Sequence, residues 1–229
     1  GELFQTYAKR ALQEVDAGMD ALNELENLKH GRVTIGVLSS FGTFQLPPIL
    51  ADFNKAYPGI KITVLRLRSG EIEAGLLNGE INFGVAYAPS GTDQVNVEPL
   101  FSVPVAMVVG DRHPLVGSAG IALSELTEHE LIMLSNEYNS RKMMDGILLA
   151  NGIVPRIVME MNAIEPILAT VRNSTLATIL SANLVDEMPG LHPIPLTPTV
   201  THSVGLFTRR NSHLSAAARA LVETIRQRF

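Results

Sequence analysis

The sequence of 229 residues predicts an α/β protein with two similar lobes. From Arg32 onward, short apolar runs alternate with segments of helical period, which is the pattern of βαβ units. The apolar runs are almost uninterrupted, as expected for parallel strands that helices cover on both faces. The pattern occurs twice, before and after a long extended run at Val97–Val109. These three observations indicate two α/β lobes joined by extended crossovers, which is the architecture of a hinged ligand receptor.

Residues 1–29 differ from the rest of the chain and predict a long linker helix. Apolar residues recur there at alternating spacings of four and three, which places one narrow apolar seam along the helix. This seam includes Phe4, Ala11, Val15, Leu22 and Leu25, which we predict to be dimerisation residues. Such a helix either packs on its own domain or pairs with another chain. Its length and near-heptad spacing favour pairing.

The first lobe opens with the most informative segment of the chain, Gly31–Pro58. An apolar strand there runs into small hydroxyl residues, and a helix with two prolines in its first turn follows. A helix N-terminus presents free N–H groups and the positive end of the helix dipole, so this corner is suited to bind an anion. The predicted elements of this lobe are strands Val33–Leu38, Ile60–Leu67 and Ile81–Tyr87 and helices Phe44–Tyr57 and Gly70–Asn78.

The second lobe repeats the alternation. Its predicted elements are strands Leu131–Leu134, Ile157–Met161 and Leu176–Leu180 and helices Ser140–Asn151 and Ile164–Arg172. A proline-rich connection at Leu191–Pro198 leads into strand Ser203–Thr208, and helix Leu214–Arg228 returns to the first lobe. The chain therefore crosses between the lobes twice.

Composition excludes several classes of function. The formal net charge of −5 and the pI near 5.7 give no electrostatic footprint for DNA binding by this chain itself. The chain has no cysteine, which excludes disulfides and thiolate metal sites. No apolar stretch approaches the roughly 20 residues of a membrane span, and the N-terminus lacks the regions of a signal peptide. We therefore expect a cytoplasmic protein without membrane contact, although a mature periplasmic protein would also have lost its signal.

Ligands in open α/β sheets bind at the carboxyl ends of the strands, so the residues there are the candidate effector contacts. In the first lobe they are Ser39, Ser40, Phe41, Arg68, Ser69 and Tyr87. In the second lobe they are Ser135, Asn162 and Ser181. One cation, one phenol and a set of neutral donors suit a small ligand that is anionic or polar.

Each candidate also has a purely structural interpretation. The serines at 39 and 40 cap a helix in that case, and Arg68 forms a surface ion pair with Glu71 or Glu73. Tyr87 packs at the hinge, while the polar residues of the second lobe form turns or cap a helix. The sequence alone leaves both interpretations open.

Neither a catalytic group nor a metal site is predicted. The six histidines are scattered, without i, i+4 pairing and without a carboxylate at ligand spacing. The chain has no G-x-S-x-G, no P-loop and no G-x-G-x-x-G. We therefore expect a binding protein with no cofactor rather than an enzyme.

Several segments together resemble the effector-binding region of LysR-type transcriptional regulators. They are the linker helix running into GRVTIG, LPPILADFNKAYPGIKITV, LNGEINFGVAY, DRHPL and ATVRNSTLATILSA. Within this family the chain resembles regulators of the cyanate-operon type, on YAKRALQEVDAG, VAYAP, LIMLS and NSTLATILSANL.

The resemblance implies two periplasmic-binding-protein-like (type 2) subdomains that are joined by two crossover strands and hold a small, anionic effector between them. It divides the chain into a linker (1–29), subdomain I (30–102 and 203–229) and subdomain II (103–202). It also implies a homodimer or tetramer and a winged helix-turn-helix domain, expected before Gly1, through which alone DNA is bound. Effector binding would then control transcription.

The sequence departs from the family pattern at two places. Asn82 stands where the family commonly has Asp, and residues 173–177 replace a glycine-rich AGLGI run. We expect the second change to add side chains near the effector. A periplasmic solute-binding protein for a small anion is the alternative function, against which the long N-terminal helix argues; an enzyme on the same scaffold would need an acid or base group that the strand ends lack.

Overall fold

A computed structural model describes Gly1, Phe4, Tyr7, Gly18 and residues 30–186 and 188–229. Most of the predicted linker helix, including Ala11, Val15, Leu22 and Leu25, lies outside these described residues. Phe4 is helical, and 78% of its surface is exposed. The chain forms two compact units: unit 1 comprises Gly1–Phe101 and Val204–Phe229, and unit 2 comprises Ser102–Ser203.

Strands and helices alternate through the described residues. The strands are β1 (Gly31–Val37), β2 (Ile60–Arg66), β3 (Phe83–Tyr87), β4 (Val95–Gly110), β5 (Ile121–Ala122), β6 (Glu130–Leu134), β7 (Arg156–Met161), β8 (Ala177–Ser181), β9 (Leu191–Thr197) and β10 (Thr201–Arg209). The helices are α1 (Leu46–Ala56), α2 (Ser69–Asn78), α3 (Asn139–Ala150), α4 (Ile164–Arg172) and α5 (Ala216–Arg226). Strands β4 and β10 each have residues in both units, so they are the two predicted crossovers.

Unit 1 contains a sheet with the order β2-β1-β3-β10. Strand β1 pairs in parallel with β2 and β3, and β10 pairs antiparallel to β3. The apolar side chains of β1 and β3 are buried, as the sequence predicts. Strand β2 differs from the prediction, because most of its residues are exposed or half-buried. It lies at the end of the sheet order, where a strand has a neighbour on one side.

Close packing of α2 on the unit 1 sheet depends on a glycine. A Cβ atom at Gly84 of β3 would lie 2.3 Å from Cγ2 of Ile72. Only glycine therefore allows α2 to come this close to β3. Helix α5 packs through one apolar face, of which Ala217, Leu221 and Ile225 are buried.

Unit 2 contains a sheet with the order β4-β8-β6-β7. Strand β6 pairs in parallel with β7 and β8, whereas β4 pairs antiparallel to β8 and β9. One core cluster includes Met107, Leu126, Leu131, Met144 and Leu148, each at most 2% exposed. Helix α3 therefore packs on the same core as the strands, which fixes its N-terminus relative to their ends.

Strand β9 forms where the sequence predicts a proline-rich connection. Ile194 of β9 lies opposite Met107 of β4, and Pro193 and Pro195 take part in the same register. Proline donates no hydrogen bond, so it is tolerated where a strand's N–H is not required by the ladder. Burial of Leu191, Ile194 and Leu196 favours formation of this strand, although its prolines predict an irregular connection.

The two departures from the family pattern have separate roles. The Asn82 side chain accepts a hydrogen bond from the Thr34 N–H at 2.7 Å, a role that needs only an acceptor oxygen. Asn173 and Ser174 donate to the carbonyls of Ala169 and Thr170 at the C-terminus of α4. Because these residues precede β8, they lie at its amino end and not at its carboxyl end beside Ser181. The expectation that they add side chains near the effector stays a prediction.

Candidate functional site

Three predicted residues of unit 1 follow or end neighbouring strands of one sheet. Val37 of β1 lies opposite Arg66 of β2 and Val85 of β3. Ser39 and Arg68 come two residues after Val37 and Arg66, and Tyr87 ends β3 two residues after Val85. We call Ser39, Ser40, Arg68, Ser69 and Tyr87 cluster 1. These residues are far apart in sequence but belong to the carboxyl ends of three adjacent strands.

Ser39 and Ser40 lie in a helical turn between β1 and α1, and both are half-buried. A π-helical turn at Phe41–Gln45 follows and runs directly into α1. A Cβ atom at Gly42 would lie 2.9 Å from Cγ2 of Val37, so glycine allows the turn to fold tightly over the end of β1. No side-chain cap is formed by Ser40 in this turn. Within the described residues, Ser40 therefore lacks the side-chain capping bond that the structural interpretation would give it.

Phe41 has a packing role in unit 1. Its side chain is 1% exposed. The ring lies 6.3 Å from the ring of Phe101 and 6.2 Å from the ring of Phe229, measured between centroids. Aromatic pairs at such distances stabilise a core beyond their burial. Phe41 thus packs in the core of unit 1, and its predicted effector contact stays a prediction.

Arg68 is the N-cap residue of α2 and forms the ion pair that the structural interpretation named. Its Nη2 atom lies 3.3 Å from Oε1 of Glu71, and its backbone N–H donates to Oε2 of Glu71 at 2.8 Å. Both side chains are about half exposed, at 45% and 48%. Exposed ion pairs of this kind contribute little to stability. The guanidinium of Arg68 therefore stays partly exposed to solvent although it pairs with Glu71.

Ser69 is the most unusual residue of cluster 1. It is the first residue of α2 and is 3% exposed, yet its hydroxyl makes no hydrogen bond within the described residues. A buried hydroxyl without a partner costs roughly 1–3 kcal/mol. Tyr87, the last residue of β3, is 8% exposed.

The carboxyl ends of β6, β7 and β8 form a second group in unit 2. Ser135 follows β6, Asn162 follows β7, and Ser181 ends β8. Leu131 and Ala177 lie opposite each other, and four further residues along each strand lead to Ser135 and Ser181. We call Ser135, Asn162 and Ser181 cluster 2. The Ser135 hydroxyl is buried and makes no hydrogen bond within the described residues.

Arg141 is the residue at cluster 2 that the sequence analysis missed. It is 9% exposed and lies in the first turn of α3. Its Nε atom donates to Asp145 at 2.8 Å, and its Nη1 atom donates to Glu160 and to the Leu134 carbonyl, both at 2.6 Å. Leu134 ends β6, and Glu160 lies two residues before Asn162. Arg141 therefore joins α3 to the ends of both strands.

The partners of Arg141 decide its protonation. Burial lowers the pKa of Arg141, but the hydrogen bonds to Glu160 and Asp145 outweigh burial and hold the pKa above its ordinary value. The side chain is therefore a permanent cation. The spacing of Arg141 and Asp145 is a visible i, i+4 signal on a helix, whereas the contact with Glu160 depends on the pairing of β6 with β7.

Among the described residues, no group of three or more His, Asp and Glu side chains is arranged to hold a metal ion. No described helix has both the length and the apolar character that crossing a bilayer requires.

Comparison with known proteins identifies the family. Residues 26–229 match the family model described as LysR substrate binding domain. A protein of Phaeodactylum tricornutum named a probable RuBisCO transcriptional regulator is 25% identical over 227 residues, covering 95% of this chain and 74% of the relative. The transcriptional regulator AlsR of Bacillus subtilis is 25% identical over 173 residues, covering 75% of this chain and 57% of the relative. This chain thus spans part of the length of each relative.

Solved structures show the same fold. The regulatory domain of CcmR from Synechocystis, in complex with 2-PG, superimposes with a TM-score of 0.79 at 17% identity, covering 86% of this chain and 97% of that one. The BenM effector-binding domain with benzoate gives a TM-score of 0.74 at 22% identity, covering 86% of this chain and 91% of that one. These likenesses confirm the predicted periplasmic-binding-protein-like fold. The narrower resemblance to cyanate-operon regulators stays a prediction.

The match over residues 26–229 spans both α/β units and extends into the predicted linker. It favours a regulator over a periplasmic solute-binding protein. The chain belongs to the LysR substrate binding domain family, the effector-sensing domains of LysR-type transcriptional regulators.

Proposed function

We propose that unit 1 senses a small anion at cluster 1. The observation that carries this proposal is the Ser69 hydroxyl, which is buried at the N-terminus of α2 without a hydrogen-bond partner among the described residues. A donor held in this way costs stability in the empty protein, and a ligand that accepts its hydrogen bond offsets the cost. Ser69 thus has the energetics of a binding residue.

The surroundings of Ser69 favour negative charge. The N-terminus of α2 offers backbone N–H groups and the positive end of a ten-residue helix dipole. The guanidinium groups of Arg66 and Arg68 lie at the end of β2 and just after it, and Glu71 is the acidic residue in the first turn of α2. Apart from its chain neighbours and the backbone of its own helix, no described atom lies within 4 Å of the position that a Cβ atom would take at Gly70, so the space beside the helix terminus is open.

Replacing Ser69 by Ala is expected to weaken anion binding without lowering stability. The loss of one hydrogen bond to a charged group corresponds to about 1.5–3 kcal/mol of binding free energy, or roughly a tenfold to hundredfold weaker Kd. In the anion-free protein, Tm should stay the same or rise, because the variant removes a buried hydroxyl that lacks a partner. Isothermal titration of Ser69→Ala and of the unmodified chain measures the change in Kd, and thermal unfolding of both measures the change in Tm.

Arg68→Gln tests the charge at the same cluster. We expect it to weaken binding of anions as well, and a matched control is Lys55→Gln. Lys55 is also an exposed cation with an acidic partner three residues away, Asp52, but it lies in the last turn of α1. The first screen uses cyanate, azide, bicarbonate, sulfate and mono- and dicarboxylates. Equal anion affinity in Ser69→Ala, Arg68→Gln and the unmodified chain would contradict the proposal.

The proposal includes the role of the whole regulator. Effector binding is coupled to DNA binding by a part of the protein outside this sequence, as the greater length of both relatives supports. Couplings of this kind amount to about 1–3 kcal/mol. A protein that acts on DNA in this way works in the cytoplasm as a sensor and not as an enzyme.

Self-association through the linker is part of the same proposal. The exposed Phe4 ring and the near-heptad seam support it. Replacing Leu22 by Glu places a charge in the seam and is expected to lower the oligomer mass, as measured by light scattering during gel filtration. A control is Glu24→Gln, which lies off the seam. An unchanged mass for Leu22→Glu would show that oligomers form through another surface.

A further inference from the structure

We infer that unit 1 has a second ligand site, a pocket beside α5 that binds a small organic acid. The pocket lies between the first residues of β4, the end of β10 and α5, and its volume is about 300 Å³. This volume is at the lower end of the range for small-molecule sites, roughly 300–1,000 Å³. We call it the α5 pocket, and its lining includes Asn96, Glu98, Leu206, Thr208, Leu214 and Arg226. All of its lining residues belong to unit 1.

The α5 pocket lies at the end of the unit 1 sheet opposite cluster 1. Strand β10 runs antiparallel to β3, and its residue Val204 pairs with Tyr87, which ends β3. Farther along β10, Phe207 pairs with Gly84, near the start of β3. Thr208 follows Phe207 and therefore lies toward the amino end of β3, away from Tyr87. A ligand in the α5 pocket would thus be bound independently of the proposed anion site at cluster 1.

Arg210 supplies a positive charge to which an acid would bind. Its Nε atom donates to Oδ1 of Asn96, a lining residue, at 3.3 Å. Its two terminal nitrogens form no hydrogen bond or ion pair within the described residues, and neither is a buried atom that lacks a partner. Both nitrogens, each with two N–H donors, therefore reach the rim of the pocket. A guanidinium presented in this way can bind both oxygens of a carboxylate.

The turn that carries Arg210 is held in place before a ligand binds. The N–H of Arg210 donates to the Gln94 carbonyl at 2.8 Å, and the Ser212 hydroxyl donates to the Arg209 carbonyl at 2.8 Å. Asn211 has a φ of 58°, in the left-handed region that asparagine adopts more readily than most residues. Because the backbone around Arg210 is fixed, binding orders little more than its side chain, which lowers the entropic cost.

The walls of the α5 pocket suit a ligand with an apolar body and one polar end. Leu206 is 2% exposed, and Val97 and Leu214 are half-buried. Burying the hydrocarbon part of a ligand against these side chains is favourable. Thr208 is also half-buried, and its hydroxyl makes no hydrogen bond within the described residues. Thr208 and Arg210 are two positions apart, the spacing that places strand residues on one face, so both can donate to one carboxylate.

The charge around the α5 pocket favours an acid over a neutral or cationic ligand. Both nearby glutamates are already paired, because Arg226 donates through Nε to Glu98 at 2.9 Å and through Nη1 to Glu223. Arg209, which also lines the pocket, and Arg210 add two further positive charges. These five side chains together carry a net positive charge, which attracts a carboxylate.

The test is isothermal titration of the full chain with monocarboxylic acids and their amides. Propionate, butyrate, hexanoate and phenylacetate are the acids, and the four corresponding amides are neutral probes of the same shape. We expect the acids to bind at least about tenfold more tightly, because an amide lacks the charge with which Arg210 pairs. Along the aliphatic series, each added methylene is expected to lower Kd by up to about fourfold as it is buried.

Two variants assign the binding to the α5 pocket. Arg210→Gln is expected to weaken hexanoate binding at least about tenfold, and Thr208→Val, which keeps the side-chain shape, about fivefold or more. Neither residue is fully buried, so we expect both variants to fold. Arg228→Gln is the matched control, because Arg228 is an exposed arginine of the same C-terminal segment that does not line the pocket. It should leave Kd unchanged, as should Ser69→Ala.

The possible outcomes separate the α5 pocket from the anion site at cluster 1. Acid binding that Arg210→Gln weakens and Ser69→Ala preserves supports the α5 pocket, and a titration that resolves two sites, one lost in each variant, supports both. Acid binding that Ser69→Ala weakens and Arg210→Gln preserves overturns the α5 pocket and supports cluster 1. Equal Kd values for acids and amides, equal effects of Arg210→Gln and Arg228→Gln, or no binding of any acid also overturn the α5 pocket. Inorganic anions then decide the site at cluster 1.

Discussion

Replacing Gly110 by Ala adds a single methyl group and is expected to lower the stability of unit 2 strongly. Gly110 is the last residue of β4, and a Cβ atom there would lie 2.4 Å from the carbonyl oxygen of Val171. It would also lie 3.1 Å from Cα and 3.2 Å from the carbonyl oxygen of Arg172. All three atoms belong to the backbone at the end of α4. A change of rotamer therefore cannot relieve the clash, and the helix terminus has to move.

Overpacking of this kind costs typically about 1–3 kcal/mol and sometimes more. We expect Gly110→Ala to reach the upper part of that range, which corresponds to a fall in Tm on the order of 10 °C for a unit of this size. Thermal unfolding followed by circular dichroism measures it. The effect should appear without any ligand, because Gly110 is far from Ser181. Val109 of β4 pairs with Ala177 at the start of β8, Gly110 is the next residue of β4, and Ser181 is at the opposite end of β8.

Gly146→Ala is the matched control. Gly146 lies inside α3, and apart from its chain neighbours and its own helix backbone, no described atom lies within 4 Å of where its Cβ atom would be. Ala is favoured over Gly in a helix interior by roughly 0.5–1 kcal/mol, so this variant should raise Tm slightly. If Gly110→Ala and Gly146→Ala changed Tm by the same amount, the close approach of β4 to α4 would be disproved.

The periodicity of the sequence was sufficient to predict most elements. The alternation of apolar strands with helices is local information, and it placed helix Ile164–Arg172 at its observed limits. The rule that ligands bind at the carboxyl ends of parallel strands was sufficient to group Ser39, Arg68 and Tyr87, which follow or end three adjacent strands of the unit 1 sheet. Their role as effector contacts stays a prediction.

Other features depend on contacts that sequence spacing does not reveal. The aromatic packing of Phe41 involves Phe101 and Phe229, which are distant in the chain. Arg141 meets Glu160 only because β6 pairs with β7. Strand β9 was not predicted, because its prolines indicate an irregular connection when only the neighbouring sequence is considered. Its apolar residues become buried only in the folded chain. The burial of the Ser69 hydroxyl likewise follows from packing, and its sequence neighbours give no sign of it.

A buried histidine in unit 2 gives the second large expected effect, a loss of stability in mild acid. His202 lies in β10 and is 2% exposed. Burial lowers the pKa of His202 to about 4, from an ordinary value of 6.5. Burial, and secondly the nearby His129, also lower the pKa of His113, which is 4% exposed. Both histidines are therefore neutral in the folded chain near neutral pH.

The sign of the effect follows from which state binds the proton. Above pH 6.5, His202 is neutral in both states and contributes no pH dependence. Below pH 6.5 the unfolded chain binds a proton that the folded chain rejects until about pH 4, so stability falls across that window and levels off below it. The contribution of His202 amounts to about 2 kcal/mol by pH 5 and about 3 kcal/mol below pH 4. His113 adds a loss in the same direction.

Replacing His202 by Leu is expected to remove its share of this pH dependence. Urea unfolding at pH 7.5 and pH 5 gives the free energy of unfolding at each pH, and the loss between them should be about 2 kcal/mol smaller in the variant. His213→Gln is the control, because His213 is exposed and should leave the loss unchanged. A His202→Leu variant that loses as much stability as the unmodified chain would mean that His202 binds its proton equally well in the folded and unfolded states. In that case burial in β10 would not keep its imidazole neutral, and the acid sensitivity of unit 2 would have to come from other groups such as His113.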